Sequence, residues 1–256
     1  MAPSDARTGR PPRTSVWLEE RPAPRRKGSR EKGEDQPEGL DRGKIIGTAV
    51  RLLDADGLAR FSMRRLATEL GVTAMSVYWY VDSKDDLLEL AMDSVEGELR
   101  LPGEGRDGAH WQDQLRALAY EYRRLFHRHP WVAGMMGSYL NVGPEAMAFS
   151  DAARRIVERS GLPSQRLSGA LSAVFQFVYG FATIEASWNS RCSAAGLSPD
   201  EYFSTVHTKV RARPEYEESL RLMEQGGGGT VEEMRERDFT VALDVLVAGI
   251  EAMRGG

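Results

Sequence analysis

The chain has 256 residues, 41% of them hydrophobic, with 34 Lys and Arg against 38 Asp and Glu and a single cysteine, Cys192. That length is enough to bury a substantial core, and a formal net charge of −4 argues against a protein that coats nucleic acid indiscriminately. One thiol allows no internal disulfide. With no apolar core of a secretory signal and no uninterrupted apolar run of about 18 residues, the chain is expected to be cytoplasmic and not a membrane protein.

The charge is unevenly placed. Residues 1 to 32 hold nine Arg and Lys against four acids, so a basic arm precedes an acidic body. Residues 1–38 are rich in Pro, Arg, Gly and Ser, with apolar character only at Val16, Trp17 and Leu18, and are expected to be disordered in isolation. Two readings of this arm stand: a solvated tail, or a DNA-binding arm. In the second, Arg25, Arg26, Lys27 and Arg30 track phosphates or enter a narrow minor groove.

From Asp41 onward nearly every segment reads as helix, and the fold class expected is all-α. The first helix runs from about Arg42 to Asp56, burying Ile45, Ile46, Ala49, Leu52 and Leu53, and Gly57 ends it. Ser62 caps a short second helix through Leu70, which Gly71 stops with a left-handed turn. Thr73 caps a third, to about Val81. Ser83 and Asp86, in a near capping box, open a fourth to about Arg100. After the Gly-rich PGEGRDG come helices at about Trp111–Arg128, Pro144–Ser160 and Pro163–Ser190. A short one at Pro199–Lys209 and a last at Thr230–Met253 follow, with EQGGGG as a loop between them.

Two short helices with Gly71 between them are the sequence form of a helix-turn-helix. Ala67 is small where the helices cross, and Leu66, Leu70, Val72 and Val77 pack the unit. In such a unit the N-terminal residues of the second helix face base edges, which makes Thr73, Ala74, Met75 and Ser76 the readers. Ser76 can hydrogen-bond, while Ala74 and Met75 offer apolar contact such as to a thymine methyl. Arg64 can supply the charged contact that this helix lacks.

The segment FSMRRLATELGVTAMSVYWYVDSKDDLLELAMD resembles the DNA-binding segment of the TetR family of bacterial repressors, and the resemblance covers residues 41 to 95. It implies phosphate contacts from Ser62, Tyr78, Tyr80 and Lys84, base contacts from Arg64, Ala74, Met75 and Ser76, and Trp79 against the sugar-phosphate backbone. Where the tetracycline repressor has Gln-Pro ahead of its YWH, this chain has Ala74 and Met75, so a different operator is expected. The C-terminal part resembles the tetracycline-repressor-like subgroup in helix pattern and length. The domains expected are therefore the arm, 1–38, a DNA-binding head, 39–85, and an effector-binding and dimerisation domain, 86–256.

Both long helices of that body are apolar on more than one face. One carries Leu167, Leu171, Val174, Val178, Phe181 and Trp188, with Ala170, Phe177 and Ile184 elsewhere. The last carries Phe239, Leu243, Leu246, Ile250 and Met253, with Val241, Val245 and Ala252 on another face. Either both faces lie within one chain or, as the resemblance implies, these helices form a four-helix bundle with a second copy, a homodimer suited to a palindromic operator. The resemblance also implies a small-molecule pocket. Candidate lining residues are Trp111, Tyr122, Phe126, Met135 and Met136, together with Tyr139, Phe149, Phe175, Tyr179 and Trp188, although the same residues also fit a plain core.

The function expected is thus a transcriptional regulator, a repressor released from double-stranded DNA by a small-molecule effector. The fourth helix would act as the lever between reading head and body. No nucleophile elbow, phosphate loop or dinucleotide fingerprint argues for an enzyme, and no Lys-Ser/Thr follows the Gly run. His127 and His129 face different sides of a helix, so neither a metal nor another cofactor is expected.

Overall fold

A computed structural model describes residues 14–18, 40–102 and 110–255. All regular elements among them are helical, apart from one isolated bridge between Met136 and Tyr139. The chain divides into two compact units. The first holds the described residues up to Glu98 together with Gly134–Ala148; the second holds Leu99–Ala133 and Phe149 onward. The compact break thus falls at 98/99 rather than 85/86, because the fourth helix packs against the first.

In the first unit α1 spans Arg42–Asp56, and the Asp41 carboxylate caps it by accepting from the Lys44 N–H at 2.7 Å. Ile45, Thr48, Ala49, Leu52 and Leu53 are its buried face. The sequence pattern had Ile46 in place of Thr48; Ile46 is only half-buried, since the helix turns its methyl-bearing threonine inward. α2 spans Met63–Leu70, capped by Ser62, and ends at Gly71 with φ 70°, a left-handed conformation that suits glycine. α3, Ala74–Tyr78, is capped by Thr73 and is shorter than expected, although Val81 beyond it is still buried. α4, Lys84–Glu96, is capped by Ser83 with Asp85 and Asp86 in its first turn, where carboxylates favour the helix dipole. It stops four residues before Arg100.

Leu66, Val77 and Leu87 are fully buried between these helices. Each contributes about 1.5–3 kcal/mol of burial, which is what lets elements as short as α3 persist. Five residues of the arm join this unit. The Ser15 hydroxyl donates to Glu89 of α4 at 2.5 Å, the Val16 N–H donates to the same oxygen at 3.2 Å, and Ser15 is buried. Residues 14–18, part of the arm expected to be disordered in isolation, are thus held against α4 in the full chain. The rest of the arm, with Arg25, Arg26, Lys27 and Arg30, lies outside the described residues.

The second unit is built on α5, Trp111–Arg128, which packs on α7, Ser164–Ala194, and on α10, Val231–Ala252. α6, Pro144–Glu158, begins in the first unit and ends in the second. α8, Pro199–Arg211, and α9, Glu217–Gln225, complete it. α9 was missed in the sequence, where its charged faces and the neighbouring glycines read as loop. α10 opens with the expected capping box of Thr230 and Glu233, and Ser198 with Glu201 forms another at α8.

α7 runs four residues beyond the expected end and is long and apolar enough, by length and composition, to cross a bilayer. Here, however, it carries a buried, ion-paired Glu185 and packs on α5, α8 and α10. Within this one chain Ile184 of α7 is 71% exposed and Val241 and Val245 of α10 are 63% and 66% exposed, so their apolar faces are not covered by their own unit.

Candidate nucleic-acid interface

The tight Gly71 turn sets α3 across α2, with Val77 inward and the opposite side of α3 outward. Met75 is 69%, Tyr78 41% and Trp79 83% exposed, whereas Val77 and Val81 are buried. An exposed indole and an exposed thioether on so short a segment are unfavourable in water unless something covers them in the working state. Ser62 and Thr73 act as caps, accepting from the N–H groups of Arg65 and Ser76 at 3.3 and 3.2 Å. The Thr73 and Ser76 hydroxyls also lie 2.9 Å apart, so they share a hydrogen bond on the exposed edge.

The two arginines of α2 separate clearly. Arg65 is tied to Asp56 in an ion pair, while Arg64 is exposed, and this supports the choice of Arg64 as the outward cation. Lys84 donates to the Phe61 carbonyl at 3.0 Å and lies 5.6 Å from the Phe61 ring centroid, which fixes its stem; an ammonium has three donors, so others remain.

Tyr80 departs from expectation. Its hydroxyl donates to the Leu40 carbonyl at 2.8 Å and its ring is half-buried. The aromatic run is therefore divided: Tyr78 and Trp79 face outward, while Tyr80 pins the backbone just ahead of α1. A phenol has one proton to donate, so the expected phosphate bond from Tyr80 is replaced by an internal one.

In the second unit five of the expected pocket residues meet. Tyr122 stacks on Phe149 at 4.9 Å between ring centroids and meets Phe126 edge-on at 4.8 Å. Phe175 lies 5.0 Å from Phe149, and Tyr179 lies 5.9 Å from Phe126. Tyr122 and Phe126 are core, and Phe149, Phe175 and Tyr179 are half-buried around them. The other candidates are dispersed. Trp111 is buried at the start of α5, and Trp188 pairs with Tyr202 of α8 at 5.1 Å. Met135, Met136 and Tyr139 fall in the first unit, where the Tyr139 hydroxyl donates to Asp85 at 3.0 Å. Burial and that carboxylate push the phenol up to about 12.

Sequence reasoning did not find the polar network beside this cluster. Arg123 of α5 donates to both oxygens of Glu185 on α7, at 2.6 and 3.1 Å, and to Glu236 of α10 at 2.7 Å. His127 Nε2 lies 2.8 Å from Glu185, and the Arg123 guanidinium lies 4.4 Å from the Phe239 ring centroid. Helical periodicity marks such positions as polar and cannot say that they are buried. Among the described residues no group of three or more His, Cys, Asp or Glu could hold a metal ion.

Residues 45–91 match the model of the bacterial regulatory proteins of the tetR family, and residues 101–254 match the tetracyclin repressor-like C-terminal domain. The chain belongs to the TetR family. An HTH-type transcriptional regulator of Saccharopolyspora erythraea is 39% identical over 84% of this chain and 86% of that protein. The HTH-type transcriptional repressor DrrR1 of Streptomyces coeruleorubidus is 31% identical over 84% of this chain and 77% of its own length. Among solved structures, ActR of Streptomyces coelicolor superposes with a TM-score of 0.70 in its apo form, at 26% identity over 84% of this chain and 97% of ActR. Its complex with actinorhodin gives 0.69, over 85% and 99%. This TetR-family chain is a helix-turn-helix transcriptional regulator.

Proposed function

We propose that this TetR-family regulator is a cytoplasmic repressor that binds a palindromic operator as a homodimer and is released by an apolar, aromatic small molecule. The observation that carries the DNA reading is the exposed side of α3 and its C-cap, where Met75, Tyr78 and Trp79 are the exposed large apolar residues within 40–85 and the others are buried or half-buried. Arg64, Thr73, Ala74, Met75 and Ser76 face the bases. Ser62, Tyr78, Trp79 and Lys84 fix register on the backbone, Tyr78 through a stiff phenol that adds little non-specific attraction. Tyr80 is removed from that set.

The exposed apolar faces of α7 and α10 support the dimer, since two such helices paired with their copies bury Ile184, Val241 and Val245. The cluster of Tyr122, Phe126, Phe149, Phe175 and Tyr179 supports an aromatic effector. That ActR was crystallised with actinorhodin supports this chemistry. Repression is supported by the naming of DrrR1 as a repressor.

The test is selection of bound DNA from a random pool by the full chain. Enrichment of an inverted repeat with half-sites about 34–36 Å apart, one helical turn, is the expected result; no enrichment, or a single asymmetric site, overturns it. Trp79→Ala should weaken binding to every selected sequence by a similar factor, because a backbone contact carries no base preference. Deleting residues 1–35 should lower the salt slope of binding if the basic arm touches phosphate.

A further inference from the structure

α4 carries a stripe of carboxylates, Asp85, Glu89, Asp93 and Glu96, at helical spacing along one side, and three of the four are buried. Each is gripped from outside the helix. Tyr139 donates to Asp85, Ser15 and Val16 donate to Glu89, and Asn141 Nδ2 donates to Glu96 Oε1 at 2.6 Å. Asp93 Oδ1 accepts from the N–H groups of Glu145 and Ala146 at 3.0 and 3.1 Å, which caps the first turn of α6 from a different helix. The fit is tight: a Cβ added at Gly143 would sit 2.0 Å from the Asp93 carboxylate oxygen.

At the end of this stripe the charges are unbalanced. Glu96 is 4% exposed, and its Oε2 is buried with no hydrogen-bond partner. Asp93 lies close enough to repel it. Glu145 of α6 faces Asp93, and its carboxyl carbon lies 3.3 Å from where a Cβ on Gly97 would be. Besides the repulsion of Asp93 and Glu96 for each other, the groups that face this pair from the 141–143 turn and from α6 are thus the neutral amide of Asn141 and one further carboxylate, Glu145. A charge placed on Glu96 has no cation among them to offset it.

We propose that Asp93 and Glu96 form a proton latch: with Glu96 neutral, the end of α4 holds residues 141–146, and loss of that proton loosens the hold. Burial, with Asp93 adding to it against the Asn141 hydrogen bond, pushes the Glu96 carboxyl up to about 7 from an ordinary 4.5. An acid whose pKa is raised on closure keeps its proton better closed than open, so closure weakens as pH rises from 4.5 through 7. By linkage the opening constant rises about tenfold between pH 6 and pH 8 and levels off above that. The latch sits on the helix whose first residue, Lys84, is bonded to the Phe61 carbonyl beside α2. A freed α4 spreads the head over more conformations, and operator affinity falls by the fraction lost. This last consequence rests on the proposed operator binding; the latch itself does not.

The test is amide exchange of residues 139–147 in the full chain from pH 6 to 8, corrected for intrinsic rate, with the carboxyl carbon of Glu96 titrated by NMR. The expected result is about a tenfold rise in opening, a Glu96 midpoint near 7, and pH-independent opening in Glu96→Gln and Glu96→Met. A flat wild-type profile, a midpoint near 4.5, or an unchanged pH dependence in the variants overturns the latch. Loss of pH-dependent operator binding with the exchange profile intact would instead refute only the operator reading.

Discussion

Glu185 is the residue whose replacement most directly tests how the second unit is held together. Its side chain is 3% exposed, and it accepts two hydrogen bonds from Arg123 and one contact from His127. Burial alone would raise its carboxyl, yet the His127 and Arg123 contacts outweigh burial and hold it down at about 2, against an ordinary 4.5. An acid depressed on folding contributes stability that is complete above the unfolded value and is lost as pH falls through the folded one. The difference corresponds to about 3 kcal/mol at pH 7, falling to about 1 at pH 3. Glu185→Gln keeps the shape and removes the charge, leaving Arg123 buried with Glu236 as its remaining carboxylate. Breaking a buried pair by removing one partner costs about 3–5 kcal/mol, which agrees with the linkage figure. Urea unfolding of wild type and variant, at one protein concentration, should therefore show a loss near 3 kcal/mol at pH 7 that shrinks steadily below pH 4.5. A loss under about 1 kcal/mol at pH 7, or one that does not shrink in acid, would refute the argument.

Other outcomes follow from the same contacts. Tyr80→Phe removes the bond to the Leu40 carbonyl and should cost about 1 kcal/mol of stability while leaving the operator affinity of the folded protein unchanged; an affinity loss as large as that of Tyr78→Phe would return Tyr80 to the phosphate contacts. Gly143→Ala forces a methyl into the Asp93 carboxylate and should destabilise the chain by about 1–3 kcal/mol, read as a lower melting temperature; a neutral effect would show that the α6 cap is loosely built. Val245→Glu places a charge in the exposed apolar face of α10 and should shift the chain toward monomer in sedimentation without lowering its helical content. An unchanged sedimentation profile would argue that this face is not the subunit contact.

The sequence by itself determined most of the helices, α9 excepted, and the caps of the reading head. Asp41, Ser62, Thr73, Ser83 and Thr230 are caps whose side chains act within three residues, and Gly71 needs no tertiary context to end α2. Period and spacing also separated Val77 and Val81 from Tyr78 and Trp79. Tertiary structure alone decided the direction of groups whose partners lie far along the chain. Tyr80 looked like its neighbours until Leu40, 40 residues earlier, took its proton. Val16-Trp17-Leu18 was a visible apolar break in a polar arm, but only Glu89 explains why Ser15 is buried beside it. Nothing in the sequence marks Asp93, Glu96 and Glu185 as buried, because helical pattern records which face a residue occupies and not what covers that face. Their buried contacts are made by segments 45 to 62 residues away, and no local propensity encodes a partner at that separation.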